Sequence, residues 1–193
     1  TKDMTALNEW KKRVGEAKAA EITKEAAGVG TAMHGNLERF IAGMQRQPGN
    51  NPVHVQAHQM ADVIISNGLS GVNEVWAMEQ SLYFPGLYSG TTDLVGVYKD
   101  NPCVMDYKQT NKPKKEEWVE DYKMQLVAYI LAHNEVYGTD IREGHVFMCS
   151  RAFEYQQFDL WPKDFNKYQD LWLNKVEEYY TTGLQGYKQL LTD

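Results

Sequence analysis

From Met4 to Ala27 apolar residues recur at helical spacing, with Leu7, Trp10, Val14 and Ala17 on one stripe and charges elsewhere, and Gly28-Val29-Gly30 predicts the end of that helix. Thr31 can cap a second helix whose buried stripe is Met33, Leu37, Phe40, Ile41 and Met44, stopped by Pro48-Gly49-Asn50. Pro52 suits the first turn of a third helix reaching about Asn67, with Val55, Met60, Val63 and Ile64 inward. After Val72 the period shortens. Strands are predicted over 73–84, 88–98 and 102–109, separated by Pro85-Gly86 and by a turn near Asp100-Asn101. A helix from about Glu116 to Tyr137, strands near 144–150 and 154–160, and a last helix opened by Pro162 complete the pattern. This order predicts an α/β sandwich in which a mixed sheet, an antiparallel meander plus a parallel strand, is flanked by helices.

At 193 residues the chain fits a single domain: a helical part over 1–67, a sheet core over 72–160 and a C-terminal helix over 162–193. No apolar stretch is long enough to span a bilayer and no charged-then-apolar leader precedes the first helix, so no membrane partner is expected. Cys103 and Cys149 sit in apolar strand runs at neither ligand nor disulfide spacing, which points to a reducing, cytoplasmic setting. The chain opens on Thr1 rather than Met, so processing or an absent upstream piece is expected. A net charge of −6 argues against coating duplex DNA by phosphate neutralisation alone, although Lys108, Lys112, Lys114 and Lys115 cluster, as do Lys11, Lys12 and Arg13.

The chemistry concentrates in Gly90-Thr91-Thr92-Asp93 and Asp106-Tyr107-Lys108. In a strand Asp106 and Lys108 share a face while Met105 and Tyr107 take the other. A two-residue turn at Lys99-Asp100 sets Asp93 opposite Asp106, and one at Asp100-Asn101 sets it opposite Lys108; both registers gather the three. Two carboxylates and an ammonium are costly in a plain core. Mg²⁺, which takes few carboxylates, keeps waters and accepts phosphate oxygens, would resolve the repulsion, leaving Lys108 to orient a water or stabilise developing charge. His34 and Glu38 form an i, i+4 pair on the second helix, and a nitrogen ligand from His34 would tilt preference toward Mn²⁺. Gln125 and Tyr129 form another such pair, either at the core edge or supporting the site, and Glu79 is either a solvent-facing residue or a further carboxylate.

Gly30-Thr31-Ala32-Met33-His34, Glu79, Gly90-Thr91-Thr92-Asp93, Asp106-Tyr107-Lys108 and Gln125-Leu126-Val127-Ala128-Tyr129 together resemble, in order and spacing, the motifs of RecB-type exonucleases of the PD-(D/E)xK superfamily. The nearest likeness is to the mitochondrial genome maintenance exonuclease group and its bacteriophage relatives, whose D-W-K-T-S-x-K-P-K run corresponds to Asp106 through Lys114. The likeness covers roughly residues 7–150.

The resemblance implies a restriction-endonuclease-like core with a four-stranded mixed sheet and Mg²⁺- or Mn²⁺-dependent DNA cleavage, preferably from single-stranded ends. It implies that His34, Asp93, Asp106 and the Tyr107 carbonyl hold metal, that Lys108 is catalytic and that Gln125 supports the site. Gln109 stands where the family usually has Thr, which leaves Thr110 one place late for its DNA contact; Lys112, Lys114 and Lys115 are further candidates for binding DNA. The four cysteines that hold an iron–sulfur cluster in some relatives are absent, so no such cluster is expected. Residues 1–67 are expected to arch over the sheet, threading one strand past it, and Trp10, Tyr88, Tyr107 and Trp118 are candidates for base stacking. A phage-encoded protein would act in the host cytoplasm, with recombination, replication repair and host-DNA degradation equally open as its setting. Competing readings are a structure-specific endonuclease and a nucleic-acid-binding module that has lost catalysis.

Overall fold

The first helical break falls at Gly15, not at Gly28. A computed structural model describes residues 4–190. In it α1 (Thr5–Val14) ends where Gly15 adopts φ 85°, and α2 (Glu16–Ile41) runs unbroken through Gly28, Val29, Gly30 and Thr31. The two glycines are tolerated mid-helix because packing outweighs their propensity cost of about 1 kcal/mol each. Val29 and Met33 are buried, a Cβ on Gly28 would lie 3.7 Å from Val53, and one on Gly30 would lie 3.6 Å from Gln109. Thr31 is therefore interior to a helix and caps nothing. Phe40 and Met44, expected inside, are exposed, because α2 stops at Ile41 and Gly43 turns the chain away with φ 66°. Val55 is likewise exposed. Lys11, Lys12 and Arg13 occupy the last turn of α1, where cations complement the helix dipole.

The third helix, α3 (Pro52–Asn67), starts as its sequence demands: the Asn51 side chain accepts from the Val53 and His54 amides, and Pro52 lacks the amide that would go unpaired. Strands β1 (Val72–Phe84), β2 (Tyr88–Tyr98) and β3 (Asn101–Thr110) form the meander. After one short 3₁₀ turn, α4 (Glu120–Tyr137) crosses to β4 (Glu143–Ser150), which lies parallel to β3. Strand β5 (Tyr155–Leu160) pairs antiparallel with β4, and α5 (Phe165–Leu190) closes the chain. Residues 191–193 of the expected C-terminal helix, and residues 1–3 of the helical part, lie outside the described residues. The sheet has five strands, in sequence order, where the resemblance implied four.

Both sheet faces are covered. Val29, Met33 and Leu37 of α2 and Met60 and Ile64 of α3 pack on Leu94, Met105, Tyr107 and Phe147. On the other face Leu126 and Ile130 of α4 pack on Val95, Val104, Val146 and Met148. Every residue of β4 is buried, as expected of a strand sandwiched between helical layers.

Lys99 and Asp100 have φ values of 46° and 70°, the two positive angles of a type I′ hairpin turn, and so fix the first of the two expected registers. Leu94 pairs with Met105 and Val95 with Val104. On the other side of β2, Gly96 lies beside an irregularity in β1 between Val75 and Ala77. A Cβ there would sit 2.0 Å from the Glu74 carbonyl oxygen, so Gly96→Ala is expected to cost about 3 kcal/mol by forcing backbone apart. Chemical denaturation of the two proteins measures the difference.

Candidate metal centre and catalytic cluster

The paired stretch of β2 and β3 ends at Leu94 and Met105. Beyond it the Asp93 carboxylate takes over, with Oδ2 accepting from the Tyr107 amide at 2.6 Å. One carboxylate oxygen is thus tied to backbone and the other faces His34 of α2, whose Nδ1 lies 3.4 Å from Asp93 Oδ1. The second ring nitrogen of His34, Nε2, is 3.0 Å from the Tyr107 carbonyl oxygen. A neutral imidazole has one N–H and one lone pair, so two oxygens around it call for a second proton or for a cation near the lone pair. Burial pushes the His34 ring toward neutrality, but its bond to and the charge of Asp93 outweigh this and raise its pKa.

Glu79 completes the group. It lies between the Met78–Leu94 and Gln80–Thr92 pairs, level with Asp93, and holds φ 50°, a left-handed conformation costly for a residue with a side chain. Ligand atoms of His34, Glu79 and Asp93 all lie within 4.8 Å of one another, and with Glu38, Gly30 and Thr31 they line an open cavity of about 350 Å³. Partial burial first, then the charges of Asp93 and Glu38, raise the Glu79 pKa. Carboxylates gathered around one imidazole form a hard oxygen set with a single nitrogen, which fits Mg²⁺ or Mn²⁺.

Asp106 and Lys108 stand next to this group on the α4 side, to which strand alternation assigns them with Val104. Asp106 is 3% exposed, and its Oδ2 meets Lys108 Nζ at 2.5 Å in an ion pair that lacks hydrogen-bond angles, so this buried oxygen has no hydrogen-bond partner. Burial raises the Asp106 pKa, with Lys108 opposing and Asp93 adding to the shift. The Lys108 pKa is also raised: burial would lower it, but the charge and contact of Asp106 prevail. The ammonium stays charged, and Asp106 is the member held short of full ionisation. An added cation on the Asp93 side would favour its ionised form.

Lys108 also lies 5.6 Å over the Tyr122 ring of α4. One turn further on, Gln125 Nε2 donates to the Tyr129 hydroxyl at 2.9 Å, and both residues border a cavity of about 370 Å³ beside Gly90. A Cβ on Gly90 would lie 2.8 Å from the Tyr129 ring, which explains the glycine that opens the Gly90-Thr91-Thr92-Asp93 run. Among the lysines proposed to contact DNA, Lys112 is exposed. The Lys114 backbone exchanges hydrogen bonds with the Gln156 side chain, and Lys115 lies 5.2 Å over the exposed ring of Trp118. Thr110 is buried and its hydroxyl donates to the Lys112 carbonyl. Tyr107, expected to stack on bases, is 1% exposed inside the core under α2, so its ring reaches no ligand. Glu79 was ambiguous in the sequence because its role depends on an irregular strand conformation for which a non-glycine residue gives no signal.

No protein-family model matches the chain. Over 182 residues it is 28% identical to mitochondrial genome maintenance exonuclease 1 of Mus musculus, and over 188 residues 26% identical to the protein of that name from Xenopus tropicalis. The chain is thus similar in sequence to two proteins named as exonucleases. The alignments cover 90% of this chain in both cases but 53% and 52% of the relatives, so the chain spans about half the length of the curated relatives it matches. Its fold is also similar to that of a crystal structure from Eubacterium rectale provisionally described as an exonuclease, with a TM-score of 0.60, 12% identity, and coverage of 83% of this chain and 66% of that one.

Proposed function

We propose that the protein is a Mg²⁺- or Mn²⁺-dependent DNA exonuclease of the PD-(D/E)xK type that prefers single-stranded ends. The observation that carries the reading is the convergence of His34, Glu79 and Asp93 beside the buried Asp106–Lys108 pair, in a chain aligned over nine-tenths of its length with named exonucleases. His34, Asp93 and Asp106, with the Tyr107 carbonyl and Glu79 at hand, would hold the metal. A divalent ion bound there supplies Lewis-acid polarisation of the phosphodiester and a water of lowered pKa.

The remaining roles belong to the chain. The Tyr107 amide holds Asp93 in one orientation, and α2 carries the partly buried His34 against it. Lys108 has its ammonium fixed by Asp106, where it can orient an attacking water or offset charge developing on the scissile phosphate. Gln125 and Tyr129 form the opposite wall, from which the Gln125 amide can hydrogen-bond that water or a phosphate oxygen. Thr110, Lys112, Lys114 and Lys115, after the catalytic strand, would meet the DNA, and residues 1–67 would arch over it. Among the described residues no helix is long and apolar enough to cross a membrane. We place the protein in a reducing compartment, such as a host cytoplasm for a phage protein, and in repair or recombination, where free single-stranded ends arise.

End-labelled linear single strands, linear duplexes and closed single-stranded circles, each incubated with Mg²⁺ or Mn²⁺ and with chelator, test the reading. Release of short products from linear single strands, sparing of circles and loss with chelator are expected. Cleaved circles would indicate an endonuclease, and intact linear strands would overturn the assignment.

A further inference from the structure

The hairpin tip between β1 and β2 is tied to α5. The Tyr180 hydroxyl donates to the Leu87 carbonyl, and the Tyr88 ring packs edge-on against Trp172 at 5.1 Å while stacking on Phe84 at 5.6 Å. This leaves a trough of about 450 Å³ walled by Leu87, Tyr88, Trp172, Val176, Tyr179 and Tyr180. The trough adjoins the cavity bordered by Gln125 and Tyr129. It shares Tyr88, Trp172 and Lys175 with the 370 Å³ cavity that reaches Gly90, Gln125 and Tyr129. Tyr129 in turn feels the charges of Asp106 and Lys108. Volumes of this size suit small planar groups.

Its chemistry is unlike that of a phosphate track. The lining is mostly apolar and aromatic, and its one cation, Lys175, is paired with Asp121 at 3.0 Å. A net charge of −6 disfavours phosphate neutralisation away from the local lysine cluster of residues 112–115. Exposed rings beside a nuclease centre supply another source of affinity, since every nucleobase has a π-face and stacking on a side chain tolerates any sequence. Only unpaired bases can stack in this way, because in a duplex both faces of each base are already covered.

We propose that the trough between the β1–β2 hairpin and α5 is a base-stacking subsite for single-stranded nucleic acid, and that it is the source of the enzyme's preference for single strands. The inference rests on the nuclease reading for its substrate. The Tyr179 ring, 73% exposed at the trough's outer rim, receives a base, while Tyr88 and Trp172 form the inner wall.

The test uses the full chain and three proteins: wild type, Tyr179→Ala and Tyr179→Phe. Steady-state cleavage of a single-stranded oligonucleotide is measured with Mn²⁺, together with binding of fluorescent oligo(dT) in chelator. Tyr179→Ala is expected to raise KM and weaken oligo(dT) binding about fivefold with kcat kept, and Tyr179→Phe, which restores the ring, to return both to wild-type values. Duplex binding should not change. An unchanged KM and affinity in Tyr179→Ala, failure of Phe to rescue, or a wild type that self-associates and leaves oligo(dT) unbound would overturn the proposal. If the wild type binds oligo(dT) through this ring but cleaves nothing, the subsite stands and the nuclease assignment falls.

Discussion

Lys108→Met is expected to lower the rate of DNA cleavage by 10²- to 10⁴-fold, roughly the range of a lost charge-stabilising or proton-transferring group, with KM little changed. Methionine keeps most of the apolar stem that packs near Tyr122, so the fold should survive. The deletion leaves Asp106 buried without its cation, and burial then drives the carboxyl further toward its protonated form. Asp106→Asn should lose activity to a similar degree, because an amide cannot supply the negative charge that a divalent ion needs. Single-turnover cleavage by each variant, with circular dichroism to verify folding, checks the pair. A wild-type rate in either variant would remove Asp106 and Lys108 from the catalytic centre.

The largest stability effect is expected away from that centre. His145, fully buried in β4, faces Asp159 Oδ1 at 2.8 Å through Nδ1 and Glu143 Oε1 at 3.1 Å through Nε2, and is enclosed by Tyr98, Phe147 and Trp161. Each ring nitrogen thus faces a carboxylate oxygen. His145→Ala removes the ring, leaves a cavity and strands two poorly solvated carboxylates, and should cost about 3–5 kcal/mol near neutral pH. Burial would raise the Asp159 pKa, but hydrogen bonds from His145 and Gln157 bring it below the ordinary carboxylate value. A depressed carboxyl pKa adds stability above the unfolded-state value of about 3.9, and this is lost as pH falls through the folded value. The gap between wild type and His145→Ala should therefore narrow below about pH 4. Urea titrations across pH measure it, and a gap that widens in acid would contradict the assigned polarity of the network.

Periodicity made much of this fold readable. β-Branched and aromatic residues between turn signals marked the strands over 88–98 and 102–109, whose consecutive buried positions reflect a sheet covered on both faces. The first helical break was misplaced because glycine marks a break only where the backbone leaves helical angles. Gly15 does so with φ 85°, whereas Gly28 and Gly30 flank the buried Val29 inside an unbroken α2. Inward stripes faded at Phe40 and Met44 because a pattern along one helix does not say where its neighbour stops. Within the site, Asp106 and Lys108 were legible from period two alone. Glu79 was not, since it enters through a left-handed backbone angle, and the trough was not, since its walls lie nearly a hundred residues apart in sequence.

The Lys99–Asp100 turn has a consequence for how the molecule can change. Side chains alternate every residue along a strand, so a slip of one position at this turn would rotate Asp106 and Lys108 from the α4 layer to the α2 layer. Asp93 is six residues before the turn, about 20 Å along an extended chain. The hairpin thus acts as a gauge for distant chemistry: insertions there, in a loop far from any reacting atom, are barred by the phase of the strand that follows.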